Sequence, residues 1–197
     1  MGMPVTSPDP ASPLVLDTRA LGLPRRPGSM VEVRRTAPAP DGMGVALARV
    51  APGSPIELDL RLESVLEGVL VTGTADLAIV GECARCLDPV EWEETVDLSE
   101  LFAYPSTDAR GAVIEEPAED DDALPMLQDD CIDIEPTLRD AIVLDLPLSP
   151  LCREDCAGLC AECGIRLDEA PDHHHERTDP RWAALAALTE QENPASS

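Results

Sequence analysis

Six cysteines carry the clearest chemical signal in this sequence. Four lie in residues 151–164, which read LCREDCAGLCAECG, and two lie upstream in Cys83-Ala-Arg-Cys86. Thiolates at two- and three-residue spacings can converge on one ion, and zinc prefers four sulfur or imidazole ligands in a tetrahedron. Gly164 follows Cys163 directly, and a glycine there can adopt the positive φ that turns the loop back over an ion. These features predict a metal site.

Two histidines extend the count of candidate metal ligands to eight, enough for two tetrahedral zinc ions. The eight are Cys83, Cys86, Cys152, Cys156, Cys160, Cys163, His173 and His175. One division groups the first four at one site and the last four at a second. A simpler division uses the four cysteines of residues 152–163 for a single ion. The sequence favours two sites but does not settle the grouping, since His174 could replace either neighbouring histidine.

The predicted zinc sites are structural rather than catalytic. A site whose ligands all come from the protein has no open position for water, whereas catalytic zinc usually keeps one. Such sites would fix a hairpin carrying Cys83 and Cys86 to a C-terminal module. Clustered cysteines in a reducing cytosol favour metal over disulfides, as does the odd total of seven. Cys131 has no partner at motif spacing, and we interpret it as a spare thiol.

Charge restricts the class of partner. The 197-residue chain has a formal net charge of −25. Residues 51–197 hold eight Arg against 35 acids, whereas residues 1–50 hold six Arg against four acids, and the chain has no Lys. Such a surface repels phosphates and attracts basic partners. Four aromatic residues are too few for a base-stacking platform.

The pattern of the chain predicts an α+β fold: an antiparallel β-sheet or partial barrel with one packed helix and a C-terminal zinc-knuckle module. Strict alternation from Ile56 to Leu62 predicts a half-buried strand. Residues 65–71 and 74–80 predict two more strands, broken near Gly68 and Gly73, before a hairpin tip at the CxxC pair and a last strand ending near Phe102.

The C-terminal half is predicted to contain the principal helix. Asp133 is expected to cap it, with Pro136 in its first turn and Pro147 ending it. Leu138, Ile142 and Leu146 are expected to form its apolar face, widened by Val143 and Leu144.

The predicted domain organisation has five parts. They are a disordered lead-in (1–13), a β-rich domain with the CxxC hairpin (14–103), an acidic linker (104–130), the helix with the Cys-rich module and a terminal helix (131–190), and a tail (191–197). No apolar run approaches the length of a membrane span, and nothing resembles a signal peptide. We therefore expect a soluble, cytoplasmic protein.

The order of several short motifs resembles the YceD family, the large ribosomal RNA subunit accumulation proteins. The motifs are residues 84–89 (ARCLDP), 132–136 (IDIEP), 146–152 (LPLSPLC), 158–164 (GLCAECG) and 179–185 (DPRWAAL). The resemblance covers roughly residues 14–190. It implies a bacterial ribosome-biogenesis role in the accumulation of large-subunit (23S) ribosomal RNA, and a protein that binds metal and, in some readings, nucleic acid. Members often carry further cysteines where this chain has PDHHHE at 171–176, so imidazole is expected to replace thiolate there.

Two partners are compatible with this resemblance: a basic ribosomal protein, such as the zinc-ribbon protein of the large subunit, or precursor large-subunit ribosomal RNA. The acidic balance favours the protein, because Arg25, Arg26, Arg34 and Arg35 form the only basic cluster. The alternative class is a metal-dependent RNA-processing enzyme, which needs an open metal position or clustered carboxylates; the candidates are Asp120, Asp121, Asp122, Asp129 and Asp130. A CxxC redox protein is disfavoured, because Cys83 lies among strands rather than at a helix start. We expect no catalytic residues, no membrane association and no small-molecule substrate.

Overall fold

The computed structural model describes residues 8–9, 11–105 and 124–175. Its strands and helix are, in chain order, Val15–Asp17 (β1), Met30–Pro38 (β2), Gly44–Val45 (β3), Ala48–Val50 (β4), Pro55–Ser64 (β5), Gly68–Glu82 (β6), Pro89–Ala103 (β7), Cys131–Asp133 (β8) and Glu135–Asp145 (α1). The α+β class is confirmed. Among these residues no helix has the length and hydropathy needed to cross a bilayer.

The larger sheet is antiparallel and centred on β6. Its order is β2-β5-β6-β4-β3, and β7 pairs with the opposite edge of β6 along its whole length. The alternation predicted for β5 is confirmed, because Ile56, Leu58, Leu60 and Leu62 are buried while the residues between them face outward. β5, β6 and β7 therefore present one apolar face to the core and one polar face to solvent.

Three elements cover the apolar face of the large sheet. β1 pairs with β8 in a separate two-stranded sheet, and α1 follows β8 after a single residue. Leu16, Ile132, Leu138 and Ile142 are fully buried in the same core as the sheet residues. Residues on both sides of the predicted boundary at 131 thus share one hydrophobic core.

The predicted break within β6 is wrong. One strand runs from Gly68 to Glu82, and Gly73 is paired with Leu60 on one side and Leu98 on the other. A Cβ at Gly73 would lie 2.1 Å from the carbonyl oxygen of Asp59. The glycine therefore permits close approach of two backbones instead of ending a strand.

The described end of the predicted acidic linker is ordered against the core. Residues 106–123 lie outside the described residues, but 124–130 do not follow the prediction. Met126 forms a parallel bridge with Ala103, Leu127 is buried, and the carboxylate of Asp130 pairs with Arg19 and Arg25. Cys131 is a free thiol, as predicted, but it lies in β8, where burial raises its pKa.

Helix α1 begins and ends close to the predicted positions. The carboxylate of Asp133 accepts a hydrogen bond from the N–H of Glu135 at 3.0 Å, and Pro136 lies in the first turn. The predicted apolar face is too wide, because Leu144 is 86% exposed. The predicted terminal helix and tail fall within 176–197, and the first part of the lead-in within 1–7, outside the described residues.

Truncating the buried face of α1 should destabilise the whole core. We expect Ile142→Ala to lower the free energy of unfolding by about 3 kcal/mol, because the surrounding side chains only partly fill the space. Leu144→Ala on the same helix should change it by less than about 0.5 kcal/mol, because its side chain is already in solvent. Urea unfolding at fixed metal concentration measures both. Equal losses in the two variants would contradict this packing.

Candidate metal centres

Two groups of metal-ligating side chains form in the structure. The first contains Cys83, Cys86, Cys152 and Cys156, and the second contains Cys160, Cys163, His173 and His175; within each group the ligand atoms lie within 4.8 Å of one another. This matches the first of the two divisions open from the sequence. Cys160 and Cys163 join the histidines instead of Cys152 and Cys156, so the one-ion grouping does not form.

The first group, which we call the hairpin cluster, joins distant parts of the chain. Cys83 and Cys86 lie on the β6–β7 connection, while Cys152 and Cys156 follow α1. Cys86 Sγ is 3.6 Å from Cys152 Sγ, and Cys83 Sγ is 3.9 Å from Cys156 Sγ. Four sulfurs about 2.3 Å from a central zinc would be about 3.8 Å apart. These distances fit a tetrahedral thiolate site and are far too long for disulfide bonds.

The second group, the terminal cluster, is built within residues 160–175. Cys163 Sγ lies 3.1 Å from His173 Nε2 and 3.3 Å from His175 Nε2. The opposite ring nitrogen of His175, Nδ1, is 3.4 Å from a carboxylate oxygen of Glu162. Such an outer carboxylate orients a metal-binding imidazole. His174 contacts the carbonyl oxygen of Asp172 and is not part of the cluster.

Both CxxC turns share one backbone geometry. The residue after the second cysteine, Leu87 or Gly164, has a positive φ of 61° or 72°. In each turn its N–H donates to the carbonyl of the first cysteine at 2.9 Å. The expectation for Gly164 is therefore confirmed. Leu87 adopts the same conformation without glycine's freedom, so the local sequence did not reveal that turn.

Backbone N–H groups point at the first thiol of each CxxC pair and lower its pKa. The amides of Cys152 and Cys86 lower the pKa of Cys83 to about 6, and those of Cys163 and Glu162 lower the pKa of Cys160 to about 7. The Asp88 amide acts the same way on Cys86, but burial and the neighbouring thiols outweigh it and raise that pKa. A bound cation would favour the thiolate form of every ligand, including those that burial otherwise keeps protonated.

Long-range backbone hydrogen bonds hold the hairpin tip against residues 150–159. The N–H of Ala84 donates to Pro150, and the N–H of Leu159 donates to the carbonyl of Arg85 at 2.9 Å. The Arg85 guanidinium donates in turn to the carbonyl of Cys156 at 2.9 Å. The hairpin cluster is therefore positioned by backbone pairing as well as by its sulfurs.

One ion pair reinforces this junction and was not predicted. Arg166 makes two hydrogen bonds to the carboxylate of Asp88, one of them 2.8 Å long. Arg166 lowers the pKa of Asp88 to about 2, so this carboxylate stays ionised well below its usual range. Asp88 Oδ2 also lies 3.4 Å from Cys86 Sγ. The partners are 78 residues apart in sequence, so no local pattern could have found them.

This fold and these sites define a class of protein: a small α+β protein built on an antiparallel sheet, with a Cys-rich C-terminal module fixed to one hairpin tip. Residues 71–189 match the family described as "Large ribosomal RNA subunit accumulation protein YceD". The chain belongs to the YceD family. That match covers most of β6, all of β7, α1 and both clusters.

Relatives extend the similarity over nearly the whole chain. An uncharacterized protein of Mycobacterium tuberculosis is 47% identical over 178 residues, which cover 90% of this chain and 82% of the relative. An uncharacterized protein of Mycobacterium leprae is 42% identical over 94% of this chain and 82% of its own length. The Bacillus subtilis protein YlbN is 30% identical over 60% of this chain and 67% of its own length. No solved structure matches significantly.

Metal analysis tests the two-cluster arrangement. We expect untagged protein to contain close to two equivalents of metal, one for each cluster. Cys152→Ser with Cys156→Ser should remove one equivalent, and His173→Ala with His175→Ala should remove the other, because a tetrahedral site that has lost two ligands binds far more weakly. His174→Ala serves as the control and should change nothing. A single equivalent that persists in the His173/His175 variant would contradict two sites.

The close approach at Gly158 gives a second test. Its φ is +82°, and a Cβ there would lie 2.9 Å from the carbonyl oxygen of Arg85. Gly164 has a similar φ of +72° but open space around it. We expect Gly158→Ala to destabilise the junction by about 3 kcal/mol and Gly164→Ala by only about 1 kcal/mol, the strain of the backbone conformation alone. The measurement is the rate of metal transfer from each variant to a chromogenic chelator, which we expect to rise only for Gly158→Ala. Equal transfer rates for the two variants would contradict the close contact between Gly158 and Arg85.

Proposed function

We propose that both clusters hold structural zinc. Thiolate and imidazole are the donors that zinc takes in structural sites, and each cluster offers four of them, enough to complete a tetrahedron. Neither cluster then has an open position at which water could be activated. The hairpin cluster would hold the C-terminal module to the sheet, and the terminal cluster would fold the loop carrying the histidines. Metal binding would contribute directly to folding free energy.

We further propose that the protein supports accumulation of large-subunit ribosomal RNA without catalysing a reaction, by binding a basic ribosomal protein. The family description supplies the RNA context. The observation that favours a protein partner is the state of the predicted Arg cluster. Three of its four members are engaged within the chain.

Each of these arginines contacts a different internal group. Arg25 donates two hydrogen bonds to buried Asp130 and lies over the ring of Tyr104, 4.8 Å from its centroid. Arg34 pairs with Asp59 at 2.9 Å, and Arg35 donates to the carbonyl of Pro13 at 2.9 Å. These contacts occupy part of the donor capacity of each guanidinium, although Arg34 stays 76% exposed, so they reduce the support for direct RNA binding without removing it.

The outer face of the large sheet has the charge expected of a surface for a basic partner. Strand register places its outward side chains in rows across β2, β5, β6 and β7. Nine carboxylates and three arginines occupy this face. The acids are Glu32, Glu57, Asp59, Glu63, Asp76, Glu82, Glu91, Glu93 and Asp97, and the arginines are Arg34, Arg49 and Arg61. This imbalance would speed encounter with a cationic protein and slow encounter with RNA.

An RNA-processing enzyme receives no specific support from the described residues. Asp129 and Asp130 were two of its candidate carboxylates. The carboxylate of Asp130 is 5% exposed and paired with both Arg19 and Arg25, so it is not available to bind a catalytic metal. The other three candidate carboxylates, Asp120, Asp121 and Asp122, lie outside the described residues.

Affinity capture from native lysate tests the proposed function. We expect a basic large-subunit ribosomal protein to be retained after nuclease treatment and released at high salt, because screening weakens exposed charge pairs. A matched preparation of a variant with Glu57→Gln, Glu91→Gln and Glu93→Gln should retain less of it. Capture that depends on intact precursor ribosomal RNA would replace this proposal with direct RNA binding. Release of RNA fragments in a chelator-sensitive manner would instead favour the enzyme.

A further inference from the structure

We propose that the groove between β7 and α1 binds an extended basic peptide segment of a partner protein as an added β-strand. The proposal rests on the proposed function, since it identifies where a basic partner would bind. The juxtaposition that carries it is an unpaired strand edge, an apolar floor and three carboxylates around one groove.

Strand β7 has a polar backbone edge that faces this groove. Ala103 uses its N–H and C=O to bond Pro125 and Leu127, both at the edge of β7 that faces away from β6. Because backbone direction alternates along a strand, Leu101, Ser99 and Asp97 direct their N–H and C=O groups toward the same edge. Within the described residues no backbone group pairs with them there. The isolated parallel bridge between Ala103 and Met126 shows that backbone groups at this edge can pair with another extended segment.

The groove beside that edge is about 390 Å³ in volume. Its walls come from Asp97 to Glu100 on β7, from Pro125, and from five residues of α1, namely Pro136, Thr137, Asp140, Ala141 and Leu144. Ala141 and Leu144 supply apolar surface, and the Leu144 side chain is 86% exposed. An exposed leucine beside an open strand edge suits an extended segment that alternates apolar with polar side chains.

Charge identifies the chemistry of the occupant. The ionisable side chains that line the groove are Asp97, Glu100 and Asp140, all acidic. Arg139, next to Asp140, instead pairs with Glu135 and donates to the backbone of Gly42. A segment bearing Lys or Arg would therefore find complementary charge along the groove.

The same charge argues against occupation by this chain's own segments. Residues 106–123 contain seven acids and one Arg, a net of −6, and residues 176–197 contain four acids and two Arg, a net of −2. Either segment would add like charge to an acidic groove. We therefore assign the groove to a basic segment of another protein.

The experiment uses the full chain and a labelled heptapeptide in which Arg alternates with Val. Ser99→Pro removes an edge N–H inside the groove, whereas Ser99→Ala removes only the hydroxyl and keeps that N–H. We expect Ser99→Pro to weaken binding about tenfold or more and Ser99→Ala less than twofold. The control is matched, because both variants lose the same side-chain group at the same position.

A second pair of variants tests the charge without touching the strand. Asp140→Arg should weaken binding about tenfold, while Asp41→Arg, the same charge change in the loop between β2 and β3 and outside both the groove and the acidic sheet face, should have little effect. Thermal unfolding confirms that each variant folds. Amide chemical-shift changes on peptide addition should fall on Asp97, Ser99 and Leu101.

Three results would overturn the groove assignment. They are equal binding by all four variants, equal binding of a peptide with Glu in place of Arg, and displacement of the Arg peptide by one that copies residues 176–197. The last would give the groove to this chain's own C-terminal segment. The groove and the proposed function fail separately: unchanged capture of a ribosomal protein by Ser99→Pro would leave the function standing and reject the groove. Peptide binding in the groove without capture of a ribosomal protein would support the groove assignment and reject the proposed function.

Discussion

The structure depends on the meeting of the β6–β7 hairpin tip with residues 150–159. Backbone bonds from Ala84 and to Arg85 align the two segments, and the Arg166–Asp88 pair holds the following loop against them. These contacts place four thiols close together in a protein with few aromatic side chains to fill a core. Four thiolates at such distances repel one another, so a cation bound there, as proposed, would convert an unfavourable cluster into a crosslink. Metal binding and junction formation would then stabilise each other.

The two clusters differ in what they hold together. The hairpin cluster joins residues on the sheet to residues beyond α1, and three of its four cysteines are buried. It therefore restricts a long loop of chain, which is the case in which a crosslink removes most unfolded-state entropy. The terminal cluster closes a loop of 16 residues and is more exposed. An ion in the terminal cluster would hold together only residues 160–175, whereas an ion in the hairpin cluster would add to the backbone bonds that hold residues 150–159 to the sheet.

Local periodicity was sufficient for the parts of the fold that depend on local chemistry. Period-two alternation identified β5, cysteine spacing identified the six clustered cysteines, and the histidines that follow them completed the set of eight. Pro136 identified the first turn of α1, although its N-cap is Ile134 and not Asp133. The errors arose where a distant contact decides the outcome. The sequence predicts that Gly73 breaks a strand, because its close contact with the backbone of Asp59 in the neighbouring strand has no local signal. It likewise predicts that Asp130 belongs to a linker, because the pairing with Arg19 and Arg25 depends on residues far away in the sequence. The pairing of Asp88 with Arg166 has no local signature at all.

The carboxylates of this protein fall into two groups, those paired with arginines and those on open surfaces. Inside the core and at the junction, carboxylates such as Asp130 and Asp88 are matched by arginines, because an unpaired charge there would be destabilising. On the outer face of the sheet and beside the edge of β7, carboxylates instead outnumber arginines. Acidic side chains along an edge strand hinder pairing with another copy of the same acidic strand. In the binding proposed above, the same carboxylates would favour a strand of opposite charge at this edge.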